Sequence, residues 1–207
     1  MSDQSTRTLG VVLFPDFELL DVFGPLEMFG NMKGAVELKM VAERKTPVRS
    51  APGPAVVIDH GFDDCPRLDL LLVPGGMGTR REVDNPAMIE WLARRVPETE
   101  LAMTVCTGTS LFARAGVLDG RRATTNKLAF HWVAEQGPKV NWVKEARWVE
   151  DGKFFTSSGV SAGIDMSLAA ISRMAGEQIG NALAMAAEYD WHRDSTWDPF
   201  AKVHGLV

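Results

Sequence analysis

The chain contains no run of about 18 apolar residues, the length a membrane-spanning helix requires. Its polar residues 1–10 hold no secretory hydrophobic region either, so the cytoplasm is the expected location. Cysteine is scarce: Cys65 and Cys106 are the only two among 207 residues. One disulfide is arithmetically available, but a reducing compartment favours free thiols. The histidines His60, His131, His192 and His204 stand at no metal-ligand spacing with one another or with the cysteines, so no metal is expected. A basic surplus is also missing. The formal net charge is −5, and the pairs Arg80-Arg81, Arg94-Arg95 and Arg121-Arg122 each have acidic neighbours. That excludes an extended nucleic-acid or anionic-membrane surface. There is no internal repeat, low-complexity tract or long linker.

What is present is enough apolar residue, 45% of the chain, to bury one sizeable core, and a single domain over residues 1–207 is expected. Residues 8–14 read as a buried strand that turns at Pro15-Asp16. Residues 19–30 read as a helix with Leu19, Leu20, Phe23, Leu26 and Phe29 on or near one face. Strands follow at residues 36–42 and, after a Pro- and Gly-rich β-excursion, at 55–58. Residues 69–73 form a continuous apolar strand running into Pro74-Gly75-Gly76. Asn85-Pro86 caps and starts a helix. Residues 101–105 are another apolar strand, ending at Cys106-Thr107-Gly108, with a helix from 110 to 115. A short strand at 122–125 and a helix at 127–135 come next. Strands at 142–149 and 154–156 flank the hairpin signal Glu150-Asp151-Gly152-Lys153. Helices at 161–175 and 177–189 lead to an aromatic, polar tail over residues 189–200. That tail either docks its tryptophans on the domain, borders the pocket or meets a partner. Strands and helices alternate, and the fully apolar strands fit a parallel sheet covered on both faces. The expected fold is a doubly wound α/β sandwich.

In such a sheet, ligands bind beyond the carboxyl ends of the strands. Two strands deliver unusual residues there: Cys106, and the Pro74-Gly75-Gly76 turn. A cysteine on a strand-to-helix turn is exposed above the sheet, like the nucleophile of α/β-hydrolases. The start of the following helix supplies amides and a positive dipole end, which favour a thiolate at Cys106. Cys65, just before a strand start, has no such setting and reads as structural. Gly75, Gly76 and Thr107 offer backbone N–H groups for an anion or a developing negative charge. A proton-transfer partner is needed, and Asp16, Glu18 and Asp21 follow the first strand. Asp21 is unusual in lying among Leu19, Leu20, Val22 and Phe23. It either caps its helix or takes a proton or donor from a partner such as Cys106.

These residues resemble the DJ-1/PfpI family. The resemblance rests on Phe14-Pro15, Leu20-Asp21, Gly24-Pro25, Pro74-Gly75-Gly76, Val105-Cys106-Thr107-Gly108 and Ala123-Thr124-Thr125. Thr156-Ser157-Ser158-Gly159 and Ser161-Ala162-Gly163-Ile164-Asp165 extend it over nearly the whole chain. The Leu-Asp-x-x-Gly-Pro and Cys-Thr-Gly elements are most similar to the isocyanide hydratase branch. The resemblance implies a flavodoxin-like sandwich, a homodimer, Cys106 as nucleophile and Asp21 as the acid that contacts it. It also implies that the Gly76 and Thr107 amides line the anion site. One departure stands out. Many relatives carry a histidine directly after the Thr-Thr pair, where this chain has Asn126. Asn126 can hydrogen-bond but cannot relay a proton. His131, five residues later, is the alternative pocket histidine or simply a helix-surface residue. Loss of the Cys–His relay disfavours amidase and protease chemistry.

The leading expectation is hydration of an isocyanide to an N-formamide, with no cofactor or metal and a small-molecule substrate. A cofactor-free glyoxalase-type enzyme and a cysteine redox sensor are the alternatives.

Overall fold

The computed structural model describes residues 6–207; residues 1–5 of the expected domain and polar N-terminus lie outside the described residues. The strands are β1 (Arg7–Val12), β2 (Val36–Ala42), β3 (Val48–Arg49), β4 (Ala55–Val56), β5 (His60–Gly61), β6 (Leu70–Val73), β7 (Leu101–Thr104), β8 (Arg122–Ala123), β9 (Asn141–Trp142), β10 (Trp148–Asp151) and β11 (Phe154–Ser157). The helices are α1 (Leu19–Gly30), α2 (Thr79–Glu82), α3 (Pro86–Arg95), α4 (Thr109–Arg114), α5 (Phe130–Glu135), α6 (Ala162–Ala175), α7 (Glu177–Ala186) and α8 (Pro199–Val203).

All four residues of β6 and the last four of β1 are buried, as continuous apolar strands covered on both faces must be. The central sheet has the order β10-β11-β7-β6-β1-β2-β5. Its neighbours are parallel except for the edge hairpin β10–β11. Helix α6 packs against both α1 and α7, and α3 packs against α4. This is the expected mostly parallel, flavodoxin-like α/β sandwich. From β1 the chain steps outward to β2, then returns on the other side through β6 and β7. The loops after β1, β6 and β7 therefore meet at a topological switch point, where open α/β sheets bind ligands.

Several elements depart from the sequence expectation. Helix α1 buries Asp21, Val22, Met28 and Phe29, while Leu20 and Phe23 remain 41% and 45% exposed. Gly24 lets Ile164 of α6 sit against that helix, which rotates the apolar face from its expected position. The expected strand 142–149 is split. Asn141–Trp142 pairs with β8, and Arg147 points its guanidinium at buried Asp165 just before β10 begins. The helix expected from residue 127 starts at Phe130, because Lys127 is drawn into a buried ion pair with Asp198 at 3.1 Å. Asp198 also caps α8, an element the sequence reading left as tail; its side chain accepts from the Phe200 N–H at 3.0 Å, and Pro199 takes the first helical position. Helix α2, directly after the glycine turn, was also not anticipated. The tail is held by the Arg147 N–H donating to the Ser195 carbonyl at 2.8 Å and the His192 N–H donating to Asp165 at 3.0 Å.

Candidate active site

At Cys106 the backbone turns with φ +55°, a left-handed conformation that non-glycine residues rarely hold. The surrounding bonds impose it. The Cys106 N–H donates to the Ser158 carbonyl at 3.1 Å, and the Thr125 hydroxyl donates to the Cys106 carbonyl at 2.8 Å. The elbow is thus pinned to the loops after β11 and β8 before the chain enters a 3-10 turn and α4.

The sulfur lies beneath the surface, and Cys106 is only 7% exposed. Burial, followed by the charge of Asp21, pushes its thiol well above the ordinary range. The Thr107 and Val160 N–H groups and the Thr107 hydroxyl oppose that shift. The simple expectation of a thiolate set by a helix end is therefore corrected. Helix α4 has only six residues behind a 3-10 turn, so its dipole is weak against desolvation. Val160 donates from a φ of +41°, a strained position for a β-branched residue.

Asp21 comes from the first turn of α1 and has no exposed surface. Its Oδ2 accepts the Gly75 N–H at 2.8 Å, while its Oδ1 is buried without a partner. Burial raises the carboxyl to about 8, against the Gly75 hydrogen bond and with help from the charge of Glu18. Both Cys106 and Asp21 thus resist ionisation, and each does so more strongly when the other is charged. The ionising unit is the pair, which keeps a proton through neutral pH. Asp21 acts on Cys106 through its charge, and no hydrogen bond joins the two side chains: Oδ1 has no partner, while the sulfur faces two amides and a hydroxyl.

The expected amide donors are arranged differently from an open anion nest. The Gly75 N–H holds Asp21, and the Gly76 N–H donates to Thr107 Oγ at 3.0 Å. The Thr107 N–H serves the sulfur. Glycine is required at 75 by proximity: a Cβ there would lie 2.6 Å from Thr107 N, 2.7 Å from Thr107 Oγ and 2.9 Å from Asp21 Oδ2.

Above the sulfur opens a pocket of about 400 Å³, lined among others by Glu18, Arg80, Cys106, Asn126, His131 and Trp132. Asn126 lines it while its Oδ1 accepts the Ala129 N–H at 3.0 Å, a local cap of the turn into α5. His131 stands on the exposed rim. Met77 lines the pocket, whereas Met28 and Phe130 belong to the core. The tail tryptophans do not line it. Arg80, Trp132 and Val160 were not singled out from sequence as pocket residues. Arg80 was legible only as half of an arginine pair, and nothing in the sequence marks Val160. A larger cavity of about 530 Å³ beside the β3–β4 excursion contains none of the candidate residues. Cys65, a free cysteine like Cys106, lies near Arg95 away from the pocket. Among the described residues no group of three or more His, Cys, Asp or Glu is placed to hold a metal, and no helix is long and apolar enough to cross a membrane.

Residues 7–173 match the DJ-1/PfpI family. The isonitrile hydratase of Pseudomonas putida is 31% identical over 181 residues, covering 87% of this chain and 78% of that protein. The HTH-type transcriptional regulator GbdR of Pseudomonas aeruginosa is 26% identical, over 91% of this chain, which spans only 52% of the regulator. The crystal structure of a ThiJ/PfpI family protein from Pseudomonas syringae superposes with a TM-score of 0.83 at 28% identity, covering 90% of this chain and 76% of that one. Deglycases and a glutathione-independent glyoxalase are also among the relatives.

Proposed function

The chain belongs to the DJ-1/PfpI family, and from that premise we propose that it is a lyase that adds water to an organic isocyanide, giving an N-formamide. The observation that carries this reading is the buried Cys106 thiol under the charge of buried Asp21, with Asn126 where a relay histidine would stand. In the reacting microstate the thiol proton has left to solvent and Asp21 keeps its own. The Cys106 thiolate bonds to the terminal carbon of R–N≡C as the Asp21 proton passes to that same carbon, giving R–N=CH–S–Cys106 and the Asp21 carboxylate. The Asp21 carboxylate then takes a proton from water as the water oxygen adds to the thioimidate carbon and hands it to the nitrogen, giving R–NH–CH(OH)–S–Cys106. The C–S bond breaks, the hydroxyl proton returns to Asp21, Cys106 is again a thiolate, and R–NH–CHO leaves. The net change is the addition of one water. No amine departs, so an acid that delivers its proton to carbon suffices, and Asn126 in place of histidine is no handicap. The amides of Thr107 and Val160 stabilise sulfur when it carries charge between steps. No cofactor enters this sequence.

The likeness to isonitrile hydratase over 87% of the chain supports the same reading. A homodimer in the cytoplasm is part of it. Leu20 and Phe23, exposed one turn apart on α1, are the apolar surface a second copy would cover. The test is incubation with p-nitrophenyl isocyanide, with Cys106→Ala as the control. Formamide from the wild type and none from the variant is the expected result; its absence from the wild type overturns the reading.

A further inference from the structure

Arg80 is the cation of the pocket, and it has no acidic partner. No Asp or Glu oxygen of the described residues lies within ion-pair distance of its guanidinium, whereas neighbouring Arg81 is paired with Asp16 at 2.9 Å and Arg114 with Asp84 at 3.2 Å. Its single side-chain hydrogen bond is a long one, to the Thr79 hydroxyl at 3.4 Å. The guanidinium is nevertheless held in place, since it lies 4.1 Å from the centroid of the Trp132 ring. Such stacking fixes a guanidinium plane while leaving its N–H edge free for a planar, bidentate acceptor. Both Arg80 and Trp132 line the same pocket as Cys106. The other charged group of that pocket, Glu18, acts on Asp21 and lies beyond ion-pair distance of Arg80. The pocket therefore has an acidic end at the reacting sulfur and a cationic wall on Trp132.

We infer that Arg80 is a specificity-determining residue that binds a carboxylate on the substrate, with Trp132 as its platform. Resting on the hydratase reading, this names the substrate class: an isocyanide bearing a carboxylate, turned over to an N-formyl amino acid or a similar N-formyl acid. The uncharged part of such a molecule lies between Arg80 and the sulfur, with its isocyanide carbon at Cys106.

The test separates binding from turnover. Cys106 in the full chain is alkylated with iodoacetamide and followed by peptide mass spectrometry, which distinguishes it from Cys65. N-formylglycine and N-formylglycinamide, which differ in charge at one end, are compared as protecting ligands. The wild type is expected to be protected by the acid at a concentration about tenfold lower than by the amide, a difference of about 1.4 kcal/mol. Arg80→Met abolishes that preference. Arg80→Lys keeps part of it, since the charge remains but the fork is lost. Equal protection by the two ligands, no protection by either, or a preference that survives in Arg80→Met overturns the inference. A second arm compares turnover of isocyanoacetate and its methyl ester, where the wild type is expected to show the lower KM for the acid and Arg80→Met to raise that KM with little change in kcat. If neither isocyanide is turned over but the Arg80-dependent protection persists, the hydratase reading fails and the carboxylate site stands.

Discussion

The Gly75 N–H holds one oxygen of Asp21 at 2.8 Å and leaves the other oxygen buried and unpartnered. A buried carboxyl with one satisfied and one orphaned oxygen is most stable when protonated. This arrangement keeps an acidic residue largely protonated at neutral pH, and several expected outcomes rest on it.

Asp21→Asn keeps an oxygen for the Gly75 N–H and removes the transferable proton. Formamide production is expected to fall at least about a hundredfold, the scale of general-acid catalysis, with the fold intact by circular dichroism. The same variant removes the charge that opposes ionisation of Cys106. Thiolate absorbance in an ultraviolet pH titration is then expected to appear at lower pH than the final ionisation of the wild-type pair. Full activity in Asp21→Asn would remove Asp21 from the mechanism.

Stability is expected to fall as pH rises across the acid-to-neutral range. Asp21 titrates at about 8 in the folded chain but near the ordinary carboxylate value of 3.8 when unfolded. Between those values the folded state binds more protons, so the slope of unfolding free energy against pH is negative. The penalty is absent below the lower value and complete above the upper one. Urea midpoints measured across this range, compared between wild type and Asp21→Asn, check it: the variant should show the shallower decline.

Cys106→Gly is expected to be more stable than Cys106→Ala by about 1 kcal/mol, because glycine accepts a left-handed φ without the Cβ penalty. The turn at φ +55° is the cause. Denaturant unfolding of the two inactive variants gives the comparison, and equal stabilities would show that the elbow carries no strain.

Gly75→Ala places a methyl group against Thr107 and Asp21. Because the nearest atoms are backbone and a buried carboxyl, overpacking is expected to cost about 1–3 kcal/mol. Activity should drop with it, since Thr107, which donates to the sulfur, and Asp21 both shift. Thermal unfolding and the isocyanide assay measure the two effects.

Asp198→Asn leaves Lys127 buried without its counter-charge, although asparagine can still cap α8. A loss of about 3–5 kcal/mol is expected for breaking such a pair, and Lys127→Met in the same chain should restore part of it. Lys127 follows the pocket residue Asn126 and is buried with side-chain exposure of 1%. The coupling is read from a double-mutant cycle in urea.

Much of this was legible in the residue order because it depends on local chemistry. The runs at 70–73 and 101–104 could be placed as buried parallel strands since they are apolar but for Thr104 at the end of the second. Asn85-Pro86 marked a helix start that the structure keeps, with the Asn85 side chain accepting from the Ala87 N–H. The split at Arg147 was not legible, because it depends on Asp165, distant in sequence. Helix α8 does carry a local signal, Asp198-Pro199, of the same kind as Asn85-Pro86, whereas the pairing of Asp198 with Lys127 joins residues far apart in the chain.

The sequence by itself determined that a cysteine would follow a central strand, that glycines would follow its neighbour, and that an acid would stand among apolar residues after the first strand. Only the tertiary structure decided how these act together. Burial is a property of the packed chain, and it raises both Asp21 and Cys106 where a helix end read in isolation suggested a ready thiolate. The amides assigned to an incoming anion are instead used within the site, because the loops after β1, β6 and β7 approach closely enough for Gly75 to meet Asp21 and Gly76 to meet Thr107. The unpaired guanidinium on Trp132 emerged the same way: two residues 52 positions apart in the chain share one pocket wall once α2 and α5 are folded.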